Sequence, residues 1–204
     1  MLNDVTVFNI REYLSAKGDK DLGEDELRQL LSEFFCDKNP DVERFLKEQS
    51  IEFTKKNQSV TYLVFSNEDA SLVGYFTITI KPITVNAEDF SNTMKRKIAR
   101  VSELDEQNGT YTLSAYLIAQ LGKNYKDGAN EKITGEQLLH AAVDTIKELQ
   151  YMAGGMVIFL EAEDNDKLMH FYEDENGFKQ FDVREMKCRD KDEIHKLVQL
   201  LKVM

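Results

Sequence analysis

Four segments between Thr110 and Phe178 alternate strand and helix periods, and that order leaves few folds open. Thr110 to Leu121 reads as a long, largely apolar strand. After a polar loop, Leu138, Ala142, Ile146 and Leu149 recur as one helical stripe that stops before Gly154-Gly155, a suitable C-cap. Met156 to Leu160 is a short, fully apolar strand, and Asp166 to Glu173 a short helix. Strands and helices in this order build a sheet covered by helices.

The flanking segments extend the pattern. Val5 to Ile10 alternates as a half-buried strand, and Leu27, Leu30, Leu31 and Phe34 give one apolar helix stripe. Asn39-Pro40 is a cap residue followed by a first-turn proline, opening a helix with Val42, Leu46 and Phe53 on one face. Val60 to Phe65 and Leu72 to Ile80 are rich in β-branched and aromatic residues around the polar turn Ser66 to Ala70, which predicts a hairpin. Glu88 to Val101 is polar and helix-compatible, and Pro40 and Pro82 stand at expected element boundaries. Phe178 to Lys187 is strand-like, whereas Glu193 to Val203 fits an amphipathic helix or a strand. The expectation is one domain over 1–204, with a mixed central β-sheet flanked by helices.

Several function classes are disfavoured. The chain has no run of 18 apolar residues, and its start lacks the basic and apolar regions of a signal peptide, so a cytoplasmic protein is expected. Cys36 and Cys188 lie far apart and match no metal spacing, which favours reduced thiols. His140, His170 and His195 lack a spaced carboxylate-nucleophile partner, and no ligand cluster points to a metal. A formal net charge of -11 repels phosphate backbones and favours cationic acceptors. The one dense basic cluster, Lys95-Arg96-Lys97 with Arg100, reads as a solvated face.

Two places carry chemistry. The loop from Lys123 to Asn130 leads to Ile133-Thr134-Gly135-Glu136-Gln137, where Thr134 and Gln137 have capping-box spacing. Gly135 allows close approach to the backbone, and exposed amides at a helix start suit a pyrophosphate. Lys123, Lys126 and Lys132 add local positive charge. The plainer alternative is an ordinary capped helix after a surface loop. Farther on, Glu161 and Glu163 stand at a strand end, where a carboxylate can accept a proton. Asn165 can cap a helix or hold a ligand carbonyl, and Tyr172 can present its hydroxyl to a leaving group. Taken alone, Tyr172 is more often a core-edge residue, and Phe171 and Phe178 are core.

Together these segments resemble the GNAT N-acetyltransferase superfamily over nearly the whole chain. Asn165-x-x-Leu168-x-x-Phe171-Tyr172 followed by Asn176-Gly177-Phe178 is the most family-like stretch. The resemblance implies the acyl-CoA N-acyltransferase fold and direct transfer of an acetyl group from acetyl-CoA to a primary amine on a small molecule or protein, without a metal. It implies a strand end Leu121-Gly122-Lys123 whose backbone near Leu121 polarises the thioester, and Gly135 and Glu136 amides cradling the pyrophosphate. It also implies Asn165 on the pantetheine arm, Glu161 or Glu163 as base, and Tyr172 as acid. The family's phosphate loop aligns with Asn130-Glu131-Lys132-Ile133-Thr134-Gly135, which keeps only the last glycine; Ile133 replaces the first, and Asn130 the usual Gln or Arg. Between Tyr172 and Gly177 there is about one extra residue. The altered loop leaves an alternative, a non-catalytic acyl-CoA-binding or protein-interaction module on the same fold. Some family members are toxins that acetylate charged tRNA, which the acidic balance disfavours, and members often form homodimers.

Overall fold

The computed structural model describes residues 4–14, 23–187 and 194–204, with side chains outside 186–195. It forms two compact units: residues 1–79 with 118–149, and residues 80–117 with 150–204. Strands β3 (Leu72–Asn86) and β5 (Thr110–Lys123) and helix α6 (Gly135–Ala153) contribute to both.

In the first unit, β1 (Val5–Asn9) pairs antiparallel with β2 (Val60–Ser66), Val5 opposite Ser66, and β2 pairs antiparallel with β3, Val60 opposite Ile78. The predicted hairpin is present, and its turn places Ala70 at φ 57° while the Ala70 amide donates to the Ser66 carbonyl at 2.9 Å. Helices α1 (Ile10–Leu14), α2 (Gly23–Ser32), α3 (Pro40–Arg44) and α4 (Ser50–Lys55) belong to this unit. Asn39 Oδ1 accepts from the Asp41 and Val42 amides, so the cap expected before Pro40 is real. Leu27, Leu31, Phe34, Val42, Leu46 and Tyr75 form the apolar core.

A π-turn, Phe45–Gln49, separates α3 from α4 and corrects one expectation. An extra residue in a helical turn rotates everything after it. Val42 and Leu46 are buried as expected, but beyond the π-turn the inward positions are Ser50, Ile51 and Thr54, while Phe53 is 36% exposed and packs edge-on against Phe45 at 5.5 Å.

The second unit holds β4 (Leu104–Asp105), α5 (Asn92–Ile98), β6 (Val157–Glu163), α7 (Asp166–Met169), β7 (Lys179–Lys187) and β8 (Ile194–Val203). The C-terminal segment is a strand. It lies between β6 and β7 and runs antiparallel to both, with Val157 opposite Val203 and Lys179 opposite Leu201. The order of hydrogen-bonded strands is β1-β2-β3-β5-β6-β8-β7, with β4 on β5.

Pro82 is not a boundary. Strand β3 continues through it to Asn86, with Lys81 and Pro82 exposed and Ile83 and Val85 buried. Proline fits extended backbone and is excluded only where its missing N–H is needed. Helix α6 buries Leu138, Ala142 and Ile146 on the predicted stripe, and Gly154 follows it at φ 76°. Among the described residues no helix is long and apolar enough to cross a membrane.

Candidate functional site

In the first unit, β5 ends in Leu121, Gly122 and Lys123. Leu121 and Lys123 are half-buried, while Gly122 is buried between them against the core. A Cβ at Gly122 would overlap Val42 Cγ1 and lie 3.5 Å from ring atoms of Phe34 and Tyr75. Packing therefore requires glycine here, whatever else the strand end does. Burial, reinforced by the Lys38 charge, lowers the Lys123 ammonium below the usual lysine range. The Lys38 ammonium in turn sits 4.6 Å above the Tyr125 ring.

Asn124, buried and unremarked in the sequence, anchors the loop that follows. Its Nδ2 donates to the Leu72 carbonyl at 2.8 Å, and its Oδ1 accepts from the Phe35 and Lys126 amides at 2.9 and 3.1 Å. The chain then winds through a 3-10 segment, Lys126–Lys132, where Asp127 and Gly128 take φ values of 49° and 77°. Asn130 is half-buried.

At the start of α6 the capping box forms in both directions. Gln137 N donates to Thr134 Oγ1 at 3.0 Å, and Thr134 N donates to Gln137 Oε1 at 2.8 Å. Ile133, which replaces the family's glycine, is 2% exposed and Leu138 1%. They occupy the two positions of a hydrophobic staple around the cap. The Leu138 amide donates to the Thr134 carbonyl, so the first-turn amides left for a ligand are those of Gly135 and Glu136.

Two of the three lysines expected to support an anion here are engaged. Lys126 is paired with Glu33, and Lys132 with Asp69 and Ser71. The Lys132 hydrogen bond holds the Asp69 carboxyl well below the usual carboxylate range. The half-buried Gly135 and exposed Glu136 amides fit a pyrophosphate, whereas Lys132 must first be released from Asp69 to meet one.

In the second unit the two candidate bases separate. Glu163 is exposed at the end of β6. Glu161 is half-buried and accepts a hydrogen bond from Gln199 Nε2 at 2.6 Å, with Arg184 Nη1 3.5 Å away. Glu161 and Gln199 are register partners on β6 and β8, which puts their side chains on one sheet face.

Glu161 opens into a cavity of about 350 Å³. Its apolar wall comes from Ile83, Leu117, Phe159 and Phe181, and its charged groups besides Glu161 are Lys81, Asp182 and Arg184. The Phe159 and Phe181 rings meet edge-on at 6.4 Å. A bulge shapes this wall: on β7, Gln180 pairs with Leu200 and Asp182 with Gln199, leaving Phe181 without a partner. A bulge re-aims side chains, and here the consecutive Phe181 and Asp182 both reach the cavity. Gln199, Arg184 and Phe181 were missed in the sequence, where only the pairing of β7 with β8 reveals the extra residue.

Asn165 caps α7, its Oδ1 accepting from the Leu168 amide at 3.0 Å. Tyr172 lies on a π-turn, His170–Glu175, that accommodates the extra residue before Gly177. Its ring is half-buried, edge-on to Phe171 at 4.9 Å and to Phe178 at 5.9 Å. Burial pushes the Tyr172 phenol up to about 12, so it stays protonated throughout the neutral range.

His140 is exposed, and exposed His170 contacts Asp174 and Glu175 on its own turn. Cys36 is a buried free thiol; Cys188 and the His195 side chain lie outside the described residues. Among the described residues no group of three or more His, Cys, Asp or Glu could hold a metal ion.

No protein-family model matches the sequence, and no curated protein matches it. Solved structures do. A tyrosine-to-phenylalanine mutant of KacT matches with a TM-score of 0.60 at 17% identity, covering 98% of this chain and 95% of that one. AtaT complexed with acetyl-methionyl-tRNAfMet matches at 0.59 and 16%, covering 96% and 94%. A mutant AtaT toxin bound to acetyl-CoA and the C-terminus of the antitoxin AtaR matches at 0.54 and 15%, covering 98% and 94%. At these identities the likeness shows a shared fold. In AtaT that fold is seen with acetyl-methionyl-tRNAfMet bound.

Proposed function

We propose that this chain, which has the GNAT acyl-CoA N-acyltransferase fold, moves an acetyl group from acetyl-CoA to a primary amine. The observation that carries the reading is Glu161, a carboxylate set in a cavity on the strand after α6 and held there by Gln199. Acetyl-CoA supplies an activated thioester, so the protein's work is to bind, orient and manage protons.

Gly135 and Glu136 amides at the positive end of α6 bind the pyrophosphate, with Lys132 joining once it leaves Asp69. Backbone N–H groups near Leu121 polarise the acyl carbonyl, and Asn165 has its Nδ2 left for the pantetheine arm. Glu161 takes the proton that the amine sheds. Tyr172 donates a hydrogen bond to the leaving sulfur; a phenol near 12 is a strong enough acid to share its proton but not to release it freely.

Calorimetry with acetyl-CoA on the wild type and Gly135→Trp, joined to a thiol-release assay on wild type and Glu161→Gln, tests this reading. Micromolar binding lost in Gly135→Trp, and amine-dependent thiol release lost in Glu161→Gln, support it. A folded wild type that neither binds acetyl-CoA nor releases thiol overturns it. A second reading, a non-catalytic acyl-CoA-binding module, draws on the ion pairs that occupy Lys126 and Lys132. It predicts binding without turnover for any amine. A third question is what carries the amine: the AtaT complex supports an acceptor borne by RNA beside the small-molecule and protein acceptors.

A further inference from the structure

Glu161 uses only one of its two carboxylate oxygens inside the protein. Gln199 Nε2 at 2.6 Å and Arg184 Nη1 at 3.5 Å both reach Oε1, and among the described residues nothing bonds to Oε2. Gln199 is left in the complementary state. A carboxylate only accepts, so the Gln199 NH2 group must face Glu161 and its carbonyl must point elsewhere. That carbonyl oxygen also has no hydrogen-bond partner among the described residues. Glu161 and Gln199 are register partners on β6 and β8 and line the same cavity, which therefore holds two unengaged acceptor oxygens on neighbouring side chains. Asp182, in register with Gln199 from β7, is the rival acceptor, but it is exposed and its Oδ1 is taken by the Val183 amide.

We infer, on the reading that this chain is an acetyltransferase, that Gln199 is the residue that selects a primary amine. A neutral primary amine has two N–H donors and one lone pair. Glu161 Oε2 binds the N–H whose proton leaves, and Gln199 Oε1 binds the N–H that stays. Held by both hydrogens, the nitrogen has one direction left for its lone pair, which is the orientation a direct transfer needs. In the transfer the neutral nitrogen attacks the thioester carbon. The C–N bond forms as the C–S bond breaks, one proton passes from nitrogen to Glu161, and the sulfur leaves as the CoA thiolate. The other hydrogen remains as the N–H of the product amide, still on Gln199. A secondary amine has a single N–H and must give up either the base or the orienting contact. A hydroxyl or a thiol has the same shortfall.

The test is a thiol-release assay at pH 8 with acetyl-CoA and three primary amines: phenethylamine, glycinamide and Nα-acetyl-lysinamide. Each is set against the same compound carrying one methyl group on the reacting nitrogen. In every pair that the wild type accepts, the primary amine should lead by at least about fivefold in kcat/KM, the net worth of one hydrogen bond. Gln199→Met keeps the length of the side chain and loses the amide. Checked for folding by circular dichroism, it should bring that ratio within about twofold, lowering kcat for the primary amine and leaving acetyl-CoA affinity as in the wild type. Gln199→Glu keeps an acceptor oxygen but loses the donor to Glu161, so it should slow both amines and preserve the preference. Equal use of primary and N-methyl amines by the wild type, or a preference that survives Gln199→Met, overturns this inference and leaves the transferase reading standing. Acetyl-CoA binding by calorimetry without acetylation of any of these amines overturns both.

Discussion

Gly122 and Val42 meet so closely that a Cβ on the glycine would overlap Val42 Cγ1. So Gly122→Ala must turn the Val42 side chain out of its position or displace the end of β5. Overpacking of this kind costs about 1–3 kcal/mol. Urea denaturation should show that loss, and Val42→Ala in the same chain should recover part of it. An unchanged midpoint in Gly122→Ala would refute the packing account.

The Lys132–Asp69 pair leads to a second prediction, on affinity. Asp69→Asn frees the Lys132 ammonium, three residues ahead of the Gly135 amide at the start of α6. Exposed pairs are weak and give way readily, so the acetyl-CoA dissociation constant should fall only about two- to fivefold at low salt. The gain should fade as ionic strength rises. Weaker binding in Asp69→Asn would mean that the ion pair supports the loop rather than competing with the ligand.

Local chemistry was the legible part of this chain. Thr134 with Gln137, Asn39 with Pro40, Asn165 and Gly154 each announce an element boundary through a hydrogen bond or a φ value decided within four residues. What resisted reading depends on pairing between distant segments. The β7 bulge at Phe181 exists only relative to β8, and β8 inserts between two strands that precede it in the chain. Its apolar residues, Leu197, Val198, Leu200 and Leu201, fit a helical period as well as an extended one. The π-turns at Phe45–Gln49 and His170–Glu175 are single-residue insertions, and only the second left a trace, as an unexpected spacing before Gly177. In the site, alternation put Glu161 and Glu163 on one face, but only the cross-strand Gln199 distinguishes them.

That distinction is directly testable. Glu161→Gln should lower kcat by about 100-fold or more, the usual worth of a general base, while Glu163→Gln stays within about threefold of wild type. Both variants should bind acetyl-CoA as the wild type does. If Glu163→Gln proved the more damaging, the exposed carboxylate would be the base and the cavity assignment would fall.

Tyr172 makes the pH behaviour predictable. Its phenol titrates at about 12 in the fold, against the ordinary tyrosine value of 10.0 that holds for an unfolded chain, so folding holds the proton more tightly. The resulting stabilisation is fully present below pH 10 and is lost as pH rises through 12. Between pH 9 and pH 11.5 the urea midpoint should therefore fall further in the wild type than in Tyr172→Phe, which has no phenol to ionise. The same shift keeps Tyr172 a hydrogen-bond donor over the whole working range, so kcat should show no alkaline decline from this group below about pH 11. Tyr172→Phe should reduce kcat at least tenfold at pH 8 with little change in acetyl-CoA affinity, since the ring contacts with Phe171 and Phe178 survive. An alkaline limb near pH 10 in the wild type that disappears in Tyr172→Phe would instead place the phenol in contact with water and remove the burial argument.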